Sequence, residues 1–187
     1  MILLQLALSV PFCDALFPYF SEKFNTNRIE GLNHIKAIFP FVLLVCFIIC
    51  LLCFGLAPYI IYTLFGENFE DSIILLRILS VIPFIVIYSQ FIGIHILVNL
   101  KLEAIFKKAL IYGAMLGLPF NIAGAYFAGA IGISCTYLIT EIFIAFLFTS
   151  YLAKQGISIK NLFVNANRDG ILNIIYQTKH LIKGTQK

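Results

Sequence analysis

Four polar side chains lie inside stretches that are otherwise almost wholly apolar: Asp14, Arg77, Gln90 and Glu141. An ionised side chain in such surroundings costs several kcal/mol on insertion scales, so one that is kept there usually faces a bundle interior or a water-filled cavity. Asp14 sits between Pro11 and Pro18, which would break a helix and free backbone groups around it. It is expected either to line a polar path or to be a protonated or hydrogen-bonded packing residue. The same alternatives hold for Glu141, where Thr140 and Tyr137 can satisfy the carboxyl locally. Arg77 follows an acidic turn (Glu67, Glu70, Asp71) by six residues. Snorkelling outward to Asp71 or Glu70 is the favoured reading; a lipid phosphate or anionic sugar at the outer mouth is the other. Gln90 and His95 are lone polar residues in one run, expected to hydrogen-bond between helices rather than to touch a substrate.

Soluble-type catalysis has no foothold. The sequence carries no phosphate loop, no HExxH, no GxSxG and no convincing metal-ligand spacing. No catalytic residue, metal or cofactor is therefore expected. The five cysteines all lie in apolar runs. Cys50-x-x-Cys53 has neither a second pair nor a nearby histidine, and with Cys46 it follows helical spacing, so these read as small packing residues. Gly113-x-x-x-Gly117 and the pair Gly129 and Gly132 are likewise packing signals that let helices approach closely.

The elements that must position these residues follow from composition. Of 187 residues 61% are hydrophobic and 12% charged, and mean hydropathy is +0.98. A soluble domain of this size could not hide so much apolar surface, so lipid must be the solvent for most of it. The net charge of +4 does not point to nucleic acid. The basic residues stand at the ends of apolar runs, and no cluster interleaves them with stacking aromatics. The expected fold is all-α and polytopic, with about five transmembrane helices near residues 1–20, 38–65, 73–100, 109–127 and 131–153. A tail at 154–187 is expected to be cytoplasmic, either interfacial or partly disordered. The first stretch lacks a basic leader and a small-residue cleavage pattern, so it reads as a span and not a signal peptide.

Charge then orients the bundle. The segments 21–37, 101–108 and 154–187 carry three, three and six Lys/Arg, twelve of the thirteen in the chain. The connectors 66–72 and 128–130 carry none. By the positive-inside rule the basic segments and the C-terminus face the cytoplasm, and both short turns face outward. An odd number of spans then puts Met1 outside, which suits a chain whose upstream half lies elsewhere.

At this point the residues resemble a known family. Phe65-Gly66-x-x-Phe69-x-x-Ser72-x-x-Leu75-Leu76-Arg77-Ile78-Leu79-Ser80-x-x-Pro83 is similar to the polysaccharide flippases of the O-antigen transporter type, in the multidrug/oligosaccharidyl-lipid/polysaccharide exporter superfamily. Leu118-Pro119-Phe120-Asn121, then Gly129-Ala130-Ile131-Gly132-Ile133-Ser134 with Thr140-Glu141, is a second match, and 11–20 before a polar loop a looser third. The resemblance covers about residues 10–153. It implies two six-helix lobes in the bacterial inner membrane, of which these spans resemble the eighth to twelfth. It also implies movement of undecaprenyl-diphosphate-linked oligosaccharide to the periplasmic leaflet by alternating access, with cavity cations handling the anionic substrate. Asp14, Arg77, Gln90 and Glu141 are the candidate path residues. The expected partners are the lipid-linked oligosaccharide, membrane lipid, and a missing N-terminal half or partner membrane subunit. A non-catalytic multispanning subunit is the alternative. A membrane polymerase or transferase is less favoured, because the outer turns are short and the inner acids scattered.

Overall fold

A computed structural model describes residues 15–155 and residue 157. Among these the chain is all-helical. Asp14, most of the first expected span and nearly all of the tail lie outside the described residues.

The first helix, α1 (15–26), stops at one extended residue, Asn27 (φ −158°, ψ 128°). Its side chain accepts a hydrogen bond from the Ile29 amide at 3.0 Å, which caps the next helix. That helix, α2 (Arg28–Phe65), is 38 residues long. It starts ten residues before the expected span, so 28–37 is helix and not loop. The physical reason is a core-facing stripe: Leu32, Ile35 and Phe39 recur at helical spacing and pack into the bundle's main core. Glu30 and His34 lie beside that stripe. Pro40 and Pro58 are both accommodated inside α2. Gly66 ends it with φ +83°, a value that suits glycine.

A single 3-10 turn (Glu67–Phe69) leads into α3 (Ser72–Gln90), which continues as a π-helical segment, Phe91–Val98. A tight connector with Lys101 at φ +62° follows. The last helix, α4 (Glu103–Lys154), is interrupted at Ala128 and Gly129 by non-helical backbone. There it folds back on itself. Gly113 meets Ile144, Gly117 meets Thr140, and Gly124 meets Gly132, so the arms 103–127 and 130–154 run antiparallel. A Cβ on Gly132 would overlap the Gly124 carbonyl, so the glycines here permit a backbone-to-backbone approach.

Among the described residues three helices are long and apolar enough to cross a membrane: Arg28–Phe65, Ser72–Val98 and Glu103–Lys154. Much of their outward surface is apolar and bare, with Tyr126 and Phe127 84% and 82% exposed. In hydrocarbon such surface carries no hydrophobic penalty. The main core joins α1, α2, the π-segment and both ends of α4 through Phe20, Phe39, Phe91, Ala109, Phe148 and Leu152. Lys23, Lys36, Lys101, Lys107 and Lys154 flank this end in sequence. A smaller cluster of Ala57, Ile61 and Leu76 closes the opposite end of α2 and α3, beneath the acidic turn.

Candidate functional site: polar groups inside an apolar bundle

Arg77 lies in the second turn of α3 and is half-buried. Its guanidinium stands over the Phe54 ring, 5.5 Å from the centroid, and its Nε has no hydrogen-bond partner among the described residues. No ion pair to Asp71 or Glu70 forms, which corrects the expected outward pairing. Two causes are visible. Six residues along a helix place Asp71 about 120° around the axis from Arg77. Glu70 is drawn back to α2, where its Oε1 accepts from the Tyr62 hydroxyl at 3.2 Å. Arg77 starts roughly 8 Å from the end of α3, while Phe54 lies roughly 17 Å from the end of α2, at 1.5 Å rise per residue. The side chain therefore reaches toward the bundle's middle instead of its rim. The ring face offsets part of the charge but supplies no acceptor.

Gln90 ends α3, half-buried, with no side-chain hydrogen bond among the described residues. One turn further, His95 is fully buried in the π-segment. Neither ring nitrogen has a partner among the described residues. Phe91, Phe20 and Phe17 surround the ring at centroid distances of 4.7, 5.1 and 6.3 Å. Among the described residues the interhelical hydrogen bonding expected of this pair does not form, and the rings nearest the imidazole are those three phenylalanines. Its backbone carbonyl is satisfied instead, by Asn99 Nδ2 at 3.0 Å.

Glu141 is half-buried on the second arm of α4 and is hydrogen-bonded by the Tyr137 hydroxyl one turn earlier. Thr140, the other expected partner, donates to the Thr136 carbonyl at 2.9 Å. No hydrogen bond or ion pair joins Arg77, Gln90 and Glu141. Thirteen residues of helix separate Arg77 from Gln90, roughly 20 Å.

Two direct hydrogen bonds between helical segments lie elsewhere in α3 and α4. Tyr88 and Thr149 hydroxyls meet at 2.9 Å between α3 and α4, and Thr136 donates to Asn121 Oδ1 at 2.7 Å across the α4 hairpin. The second pair had a signal: its midpoint falls on the Ala128–Gly129 turn, where hairpin symmetry would place partners. The first pair had none. Among the described residues no group of three His, Cys, Asp or Glu could hold a metal ion. Among the described residues the bundle offers a guanidinium without a counter-charge and a carboxyl with one hydroxyl partner, both within apolar helices.

The chain is 25% identical over 145 residues to a protein of Escherichia coli (strain K12) named "Putative O-antigen transporter". The match takes in 78% of this chain and 35% of the relative, so the chain spans about a third of that protein's length. No family model matches, and no solved structure does. This distant similarity supports the resemblance to O-antigen flippase-like proteins read from the residues.

Proposed function

We propose that this chain forms most of one lobe of a bacterial inner-membrane transporter that flips undecaprenyl-diphosphate-linked oligosaccharide from the cytoplasmic to the periplasmic leaflet. The observation that carries this reading is the similarity to the Escherichia coli protein along 78% of the chain. The physical need is plain: a sugar head with a diphosphate cannot cross hydrocarbon unaided. Five spans cannot enclose such a head, so a second lobe, from an N-terminal half or a partner membrane subunit, completes the path. The two lobes rock about it in alternating access. The basic connectors and the C-terminus face the cytoplasm, and the acidic turn faces the periplasm.

In this reading Arg77 receives the diphosphate, whose oxygens supply the acceptors that Phe54 cannot. Asp14, Gln90 and Glu141 line the polar path. The test is deletion of the gene in its own bacterium. Lipid-diphosphate-linked repeat units should accumulate with their sugars on the cytoplasmic face while surface polysaccharide falls. Unchanged polysaccharide with no accumulation refutes the proposal.

A further inference from the structure

At the basic end of the bundle α1 and α2 are tied by four polar side chains that the transport reading does not use. The Tyr19 hydroxyl and His34 Nδ1 lie 3.0 Å apart. His34 Nε2 faces Glu30 Oε1 at 3.7 Å, and Lys23 Nζ of α1 reaches the same oxygen at 3.4 Å. The tautomer that satisfies this geometry carries its proton on Nε2, toward Glu30, and accepts the Tyr19 proton at Nδ1. One carboxylate thus serves a lysine across the joint and a neutral imidazole on its own helix.

We propose that this cluster is a pH-sensitive fastening between α1 and α2, closed while His34 is neutral and loosened when it is protonated. Protonation turns Nδ1 from acceptor to donor, so Tyr19 must reverse its hydrogen bond. It also creates a second cation beside Glu30, at the i,i+4 spacing that favours pairing within α2. Glu30 then exchanges Lys23, a partner across the joint, for His34, a partner on its own helix. The charged groups acting on His34 among the described residues are Lys23 from α1 and Glu30 from α2, with Glu22 acting on Tyr19. His34 lies outside the apolar part of α2. Burial first, then Lys23, hold its pKa below the usual 6.5, against the opposing pull of Glu30. With the folded value lowered, this contribution to stability is complete above pH 6.5 and is lost as pH falls through the lower folded value. The joint is geometrically poised to respond: α1 and α2 share only Asn27 as a non-helical residue, and Phe24 packs directly on Gly31.

Hydrogen–deuterium exchange of the full chain in lipid nanodiscs tests this, with rates corrected for intrinsic chemistry. Between about pH 7.5 and about pH 5, either side of the histidine range, exchange at residues 21–37 should rise roughly fivefold, the worth of one ordinary hydrogen bond. His34→Gln keeps a neutral acceptor for Tyr19 and should stay slow at both pH values. Tyr19→Phe should be fast at both. Wild-type exchange that does not rise with acid overturns the proposal, and so does an equal rise in His34→Gln.

Discussion

The two ends of the helix Ser72–Val98 hold polar groups in opposite ways. Near its start, Arg77 keeps a permanent charge half-buried, with an aromatic face beneath it and its Nε unpaired. Near its finish, His95 is wholly buried among three phenylalanine rings, with no partner for either nitrogen among the described residues. A guanidinium cannot shed its charge, so burial leaves it short of acceptors for its five N–H donors. An imidazole can be neutral, and a neutral ring is tolerated as a slightly costly aromatic. The proposed binding role of Arg77 draws on the first arrangement, and the second is that of a packing group, although from sequence alone both are single polar residues in an apolar run.

The largest effect that would break this contrast concerns Arg77. Arg77→Met should lower surface polysaccharide more than about tenfold, the loss expected when a charge-assisted contact worth ~1.5–3 kcal/mol goes, while the bundle's thermal stability holds or rises. Equal output from the variant would make Arg77 a passenger. Next comes the ring-packed end. Gly93→Leu would drive a side chain into Phe106 and Phe148, which stand 2.8–3.0 Å from an added Cβ. It should cost about 1–3 kcal/mol in a detergent melt, as overpacking does. His95→Phe should then stabilise by roughly 1 kcal/mol, since it removes two unsatisfied nitrogens and keeps the ring. A destabilised His95→Phe would show that the nitrogens do find partners and would dissolve the contrast. The smallest effect is Tyr88→Phe. It loses the hydroxyl pair with Thr149 and should cost about 0.6 kcal/mol, the mean for such bonds in membrane bundles.

Much of this architecture was legible beforehand. The apolar runs gave the rods, Gly66 and the acids the turn between α2 and α3, and Ala128-Gly129-Ala130 the fold-back in α4. Period-based reading failed where two signals overlapped. Residues 28–37 are charged enough to pass for a loop, yet Leu32, Ile35 and Phe39 keep helical spacing. The π-segment at Phe91–Val98 was hidden, because its apolar residues fit a regular helix equally well. The candidate residues themselves were findable from cost alone, but their partners were not. Arg77's lean toward Phe54 depends on the register of α2 against α3, and His95's isolation depends on which rings α1 brings to it. Neither is encoded in local sequence.

One dimension of α2 has a mechanical consequence. At 1.5 Å per residue its 38 residues measure about 57 Å, nearly twice a hydrocarbon core. Because the extra length is unbroken rod, it works as a lever. A tilt of about 10° displaces one tip of such a rod roughly 10 Å sideways relative to the other. Small changes of angle within the bilayer are thereby amplified at the water-facing tip, where α1 is attached.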